Sequence, residues 1–400
     1  MNKKVIKSVA VCIAIVASVG LLAYGCMPLE QGLGPIGGSG PIMGTQGTTV
    51  GFVNFSVAGR GTGQSEGILV EVKNSDGSYS ACEWIGTEDQ EVSDFNSLAL
   101  LIDDSGSMEN AYPEDEYPGI NCPTCPHDPN RIRATAAVEL IKNVLASAPD
   151  SRIAVMDFGP EPTAGKIATR VLQDFTADTE RLFSALEMID GSQMVGTPLY
   201  DSLAENVIAT DEDAVEFEDI LQLEGRTNDD GGEPEVKRYI LVLSDGDDRD
   251  SVQYRLEDVV TLAQQTDVVI HAIGLGPASA AVNPALQTQD QVATVTNLQM
   301  IAEKTGGFYA SVNDPAALSE LYTTIALGLT NGYNQDTWSC KPDGKDPEPG
   351  QQMEGQVTIE DETTEWSVIV PKDDVEPDPK PKPDPEPGPT PEPPASHPDP

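Results

Sequence analysis

The segment Ser97–Met108, SLALLIDDSGSM, constrains the rest of the chain more than any other stretch. An apolar run ends at Asp103, and Ser105 and Ser107 follow at alternate positions. A buried strand that ends in this way delivers a carboxylate and two hydroxyls to one point. Hard divalent cations take oxygen ligands, so one reading is a metal site. Asp and Ser are equally at home at a helix N-terminus, where their oxygens accept backbone N–H bonds, so a second reading is a strand leading into a capped helix. The segment alone leaves both open.

From Ser97 onward the pattern alternates between strand and helix. Strands are expected at Leu98–Ile102, Arg152–Phe158, Tyr239–Leu243, Val268–Gly274 and Phe308–Val312, with a further edge strand at Lys166–Gln173. Between them, helices are expected at Arg131–Ser147, Thr179–Ile189, from Pro198, at Val252–Gln265, Leu298–Thr305 and Asp314–Leu329. In Arg131–Ser147 the apolar residues Ala137, Leu140, Ile141, Val144 and Leu145 fall on one helical face. Alternation of this kind predicts an α/β fold, a doubly wound and mostly parallel sheet covered by helices on both faces. Ligands of such sheets sit at the carboxyl ends of the strands. Asp103-x-Ser105-x-Ser107, the loop holding Gly196-Thr197-Pro198, and Ser244-Asp245-Gly246 all belong to that edge. Together they offer hydroxyls and few carboxylates, so a cation bound there keeps positive charge and seeks a further anion from outside.

In order and number, IDDSGSM, VGTPLYDSL, YILVLSDGDD, VVIHAIGLG and LQMIAEKTGGFYASVNDPAALSELYTTI resemble the von Willebrand factor A-type domain, the fold shared with integrin inserted domains. The resemblance covers residues 97–330. It implies a metal-ion-dependent adhesion site in which Ser105, Ser107 and Thr197 are direct ligands, while Asp103 and Asp245 hold the ion directly or through water. The implied ion is magnesium, with manganese and calcium as alternatives. The last coordination position would go to an Asp or Glu of a partner, a protein or matrix component.

Two stretches depart from the family pattern. Residues 109–130, ENAYPEDEYPGINCPTCPHDPN, lengthen the connection between the motif and its helix and must emerge beside the ion. Loops on a rigid scaffold carry specificity, which makes this one the leading candidate for partner contact. Cys122 and Cys125 are expected to form a local disulfide that stiffens it. A redox pair lacks thioredoxin-like context, and a zinc site using His127 lacks further ligands. A second acidic insertion, from about Thr210 to Glu235, is expected to be a mobile solvated loop without an EF-hand spacing. Asp247, Asp248 and Asp250 follow Asp245 as exposed residues that could tune the ion's field. The chain is not expected to be an enzyme. It has three histidines, His127, His271 and His397, and none stands in a nucleophile motif. Asp157 and Arg170 read as structural.

The ends of the chain place this unit. Met1–Lys7 carries three lysines, and Val5–Gly25 is largely apolar before Cys26, a secretory signal. It resembles a bacterial lipoprotein signal, in which Cys26 is lipidated and anchors the chain to a membrane. Tyr24 and the placement of Leu22 depart from that pattern, so cleavage elsewhere or an uncleaved anchor stays open. Any of these places the residues after Cys26 outside the cytoplasm, and the lipoprotein reading puts the chain in the cell envelope, on the outer membrane or cell surface. Residues 27–49 are rich in Gly and Pro and read as a flexible tether. Residues 50–96 and 331–371 are β-rich and flank the α/β unit. Cys82 and Trp84, and Trp338 and Cys340, sit two apart and so share strand faces. They predict a Cys82–Cys340 disulfide beside a Trp84–Trp338 contact, with the α/β unit inserted between two halves of a small β domain. Residues 372–400 are a Pro-, Asp- and Glu-rich tail too polar to form a core. Acidic residues number 66 against 23 basic, a net charge of -43, which excludes nucleic acid as a partner. The function expected is metal-dependent protein binding of the adhesion type on a bacterial envelope. The alternative is a periplasmic assembly or scaffold factor that uses the same domain within a complex.

Overall fold

Leu98, Leu100 and Ile102 face one side of a central strand, and Ala99 and Leu101 face the other; all five are fully buried. A strand that is apolar on both faces must lie inside a sheet covered twice. The computed structural model describes residues 42–47, 52–58, 68–90, 93, 95–110, 125–158, 168–189, 196–228, 231–246, 248–279, 289–312, 314–359 and 362–370. Its strands are β1 (Ile42–Gly47), β2 (Phe52–Ala58), β3 (Ile68–Lys73), β4 (Tyr79–Ala81), β5 (Glu83–Gln90), β6 (Asn96–Asp103), β7 (Arg152–Phe158), β8 (Thr169–Thr176), β9 (Lys237–Ser244), β10 (Val268–Leu275), β11 (Tyr309–Val312), β12 (Tyr333–Ser339), β13 (Gln352–Ile359) and β14 (Glu362–Ile369). The helices are α1 (Gly106–Glu109), α2 (Ile132–Ser147), α3 (Thr179–Leu186), α4 (Leu199–Leu223), α5 (Leu256–Gln265), α6 (Gln289–Lys304) and α7 (Leu318–Asn331).

The central sheet runs β11-β10-β9-β6-β7-β8, parallel throughout except for the antiparallel edge strand β8. Helices α2, α3 and α7 cover the face of Leu98, Leu100 and Ile102, and α4, α5 and α6 cover the other. The fold is therefore α/β with a doubly wound, mostly parallel sheet, accompanied by two small antiparallel sheets. Strand order changes direction between β6 and β9, which pair in register up to Ile102 and Leu243. The chain leaves that pair on opposite sides, and the divergence opens a crevice at the carboxyl edge.

The two small sheets, β1-β2-β12-β5 and β14-β13-β3-β4, mix strands from before and after the α/β unit. Val53, Phe55, Val70, Val72, Trp338, Val357, Trp366 and Val368 form one apolar core between them. Cys82 is joined to Cys340 by a disulfide, and Trp84 lies opposite Trp338 in the β5–β12 register.

Three expectations change. Ile42–Gly47, expected within a flexible tether, is a strand, because β2 supplies an antiparallel partner for its backbone. Residues 210–223, expected as part of a mobile loop, continue α4. There Ala214, Phe217 and Leu221 share one helical face and bury it against Phe95 and Val236, while Glu212, Glu216 and Asp219 are exposed and Asp213 is buried against Ser97 and Arg152. Helix α6 begins at Gln289 rather than Leu298, since Val295 extends the apolar stripe backward among polar residues. The signal segment with Cys26, residues 111–124 of the insertion with Cys122, Asp247 and the tail with His397 lie outside the described residues.

Candidate metal site at the carboxyl edge of the sheet

Asp103 is the last residue of β6 and is fully buried. Its Oδ1 accepts the Ser105 backbone N–H at 2.8 Å, and its Oδ2 accepts the Ser244 hydroxyl at 2.7 Å. The first bond turns the chain sharply at the strand end. The second ties β6 to β9 across the crevice. Ser105 Oγ then lies 3.0 Å from Ser107 Oγ, and Ser107 Oγ donates to Asp245 Oδ1 at 3.1 Å. Four of the five residues named from the sequence thus form one continuous set.

Thr197 arrives on the loop before α4. A β-carbon on Gly246 would stand 3.9 Å from Thr197 Oγ1, so the threonine hydroxyl rests against the turn that carries Asp245. Three contacts fix it there. Thr197 N–H donates to Asp250 Oδ2 at 2.7 Å, Tyr200 N–H to Asp248 Oδ1 at 3.1 Å, and Asp201 N–H to Ser251 Oγ at 2.8 Å. The residue before α4 is Pro198, which has no side-chain oxygen for the orphan N–H groups that open a helix. The loop 248–251 supplies those acceptors instead. In return Asp201 accepts the backbone N–H groups of Val252, Gln253 and Tyr254. Asp248 and Asp250, expected as exposed residues, are therefore spent on holding α4 and Thr197. Gly196 has φ of +108°, and a side chain there would meet Asp250 Oδ2 at 2.9 Å, so the approach of the Thr197 loop requires glycine.

Electrostatics favour a cation. Burial, and then the neighbouring charge of Asp245, push the Asp103 pKa up to about 7, while bonds from Ser105 and Ser244 oppose the shift. Two buried carboxylates brought together are stabilised by a positive ion between them. Among the described residues no group of three or more His, Cys, Asp and Glu gathers for a metal. This donor set is of the other kind, rich in hydroxyls, and suits a hard ion that retains water or an outside oxygen. Asp103, Ser105, Ser107, Thr197 and Asp245 fit that role.

Two participants have no local sequence signal. His127, on the returning limb of the insertion, lies with Nδ1 2.5 Å from Asp245 Oδ2. Arg133 is fully buried in α2. Its Nε donates to the Asp103 carbonyl at 3.0 Å, and its amino groups meet Asp104 at 3.0 Å, Glu109 at 2.7 Å and Asp128 at 3.1 Å. Asp104 also accepts from Arg170, which is paired to Asp157. Cys125 is disulfide-bonded, while Cys122 lies outside the described residues.

The family model for the von Willebrand factor type A domain matches residues 97–324, more than half of the chain. The chain belongs to this family. Solved structures similar to this VWA chain include an aerotolerance-related membrane protein from Bacteroides fragilis, 16% identical, with 57% of this chain and 98% of that one covered and a TM-score of 0.34. Proximal thread matrix protein 1 from the mussel byssus, with a zinc-occupied MIDAS motif, is 14% identical over 60% of this chain and 49% of that one, TM-score 0.36. The pilus adhesin SpaC from Lactobacillus rhamnosus GG is 10% identical over 79% and 47%, TM-score 0.38. A search among curated proteins finds no match.

Proposed function

We propose that this VWA chain is a metal-dependent protein-binding module of the adhesion type on a bacterial cell envelope. It grips an Asp or Glu side chain of a partner through a divalent cation held by Asp103, Ser105, Ser107, Thr197 and Asp245. The observation that carries the reading is the donor set: Asp103, Ser105, Ser107 and Asp245 linked by bonds of 2.8 to 3.1 Å, with the Thr197 hydroxyl against the turn that carries Asp245. A dication held there keeps part of its charge and supplies an electrophilic point for an outside carboxylate. Magnesium suits the site best, because it binds through few carboxylates and retains water; manganese and calcium are the alternatives.

The acidic background shapes the partner. With a net charge of -43, the chain repels acidic proteins at long range, a repulsion screened beyond about 8 Å at physiological salt. The best partner is a protein or matrix component that is basic overall and presents one exposed carboxylate. Lipidation at Cys26 would hold the module at the membrane. The role is binding rather than catalysis.

Affinity capture with and without magnesium tests the reading. Partner recovery should require the ion, disappear with chelator, and disappear in Asp103→Ala and Ser105→Ala. Capture that survives chelator and both substitutions sinks it. Recovery of envelope machinery instead of host or matrix proteins would favour a scaffold role for the same domain.

A further inference from the structure

Both carboxylate oxygens of Asp245 are engaged by protein donors. Oδ1 accepts from Ser107 Oγ at 3.1 Å, and Oδ2 lies 2.5 Å from His127 Nδ1. An ionised carboxylate offers acceptors alone, so the proton of the second bond sits on Nδ1 whether the ring is neutral or charged. The two side chains are 6% and 2% exposed, and this bond is made away from water.

The ring is fixed from two directions. His127 N–H donates to the Ser107 carbonyl at 3.1 Å, and Asp128 N–H to the Met108 carbonyl at 2.7 Å, so the returning limb of the insertion is sewn onto the metal motif. Asp128 also caps α2, accepting from Ile132 and Arg133 N–H at 2.8 and 2.9 Å. On the other side the imidazole rests on Gly276, where a β-carbon would come within 3.1 Å of His127 Cδ2. The backbone bonds and the Gly276 contact together hold the ring against Asp245.

A carboxylate oxygen that accepts a charge-assisted hydrogen bond has less to give to a cation. We propose that His127 is a positioning residue that holds Asp245 back from the bound ion, so that the ion keeps the charge with which it takes a partner's carboxylate. The inference rests on the metal reading above. It makes the insertion part of the grip. With His127 in place the ion seeks an anion from outside; with the imidazole removed, Asp245 supplies that anion from within.

Titration of the full chain with Mn2+, read by electron paramagnetic resonance and water-proton relaxation, tests this. His127→Ala should bind Mn2+ about tenfold tighter, the effect of freeing one charge-assisted hydrogen bond, and should carry fewer inner-sphere waters. His127→Asn, whose side-chain amide can donate from near the position of Nδ1, should stay close to wild type. Mn2+ binding that is unchanged or weaker in a folded His127→Ala protein overturns the proposal. So does nitrogen coupling to Mn2+ in the wild type, which needs no variant and would make the imidazole a ligand. A wild-type chain that binds no Mn2+ sinks the metal reading itself, a result distinguishable from the others.

Discussion

Asp104 stands next to Asp103 yet turns to different partners. It is fully buried and accepts from Arg133 and Arg170. Through the same guanidinium, Glu109 and Asp128 at the two ends of the insertion are drawn to one point. Removing the cation from such a cluster leaves buried anions unpaired, so Arg133→Met should lower stability by about 3–5 kcal/mol, measured by denaturant unfolding. His271 carries a second consequence of burial. It stacks on Phe308 at 4.2 Å and on Tyr239 at 5.5 Å, accepts the Phe308 N–H, and is held neutral, its pKa pulled from 6.5 down to about 3 by desolvation. Unfolded chains take up this proton near pH 6.5, and the folded chain does so only near 3. Stability is therefore full above pH 6.5 and falls as the pH drops toward 3, by up to about 1.4 kcal/mol per pH unit. Comparing unfolding free energies across that window, His271→Gln should show a shallower slope than wild type. The alternation of Asp103, Ser105 and Ser107 is legible in the sequence as a motif, although only Asp103 lies in the strand, Ser105 precedes α1 and Ser107 lies within it. Asp104 and His127 are not legible, since their partners lie 29, 66 and 118 residues away and no local pattern announces them.

At the scale of elements, α4 shows how composition misleads. Residues 210–223 carry so many carboxylates that they read as a solvated loop. Three apolar residues at helical spacing suffice once Phe95 and Val236 receive them, with Phe95 and Phe217 meeting edge to face at 6.1 Å. Arg238 reaches Asp211 at 3.1 Å and Arg152 reaches Asp213 at 2.8 Å, which ties the acidic segment back to β9 and β7. Phe217→Ala should cost about 3 kcal/mol, and hydrogen exchange should rise over residues 210–223 before it rises in the amino-terminal half of α4. The alternation of strand and helix is legible because each central strand is apolar on both faces. Strand β1 and the carboxyl half of α4 are not, because what orders them is a partner supplied from elsewhere in the chain.

At the scale of the whole molecule, the pairing of Cys-x-Trp with Trp-x-Cys is the sequence feature that foretells the joining of the two ends. Residues two apart in a strand share a face, and β5 and β12 are neighbours. Cys82 and Cys340 are separated by 258 positions, and a link closing so long a loop restricts the unfolded chain by roughly 5 kcal/mol in the chain-entropy account. Cys82→Ser with Cys340→Ser should lower the thermal midpoint, and reduction should lower it at least as much, since it also cuts the disulfide of Cys125. The same link has a mechanical side. Strands β1 to β4 precede Cys82, and β13 and β14 follow Cys340, so a pull on the two ends of the chain crosses from one flank to the other through a single covalent bond. The helices and the carboxyl edge of the central sheet between them hang off that load path as a side loop. When the chain is stretched from its ends, they should extend only after a reductant cuts the bond.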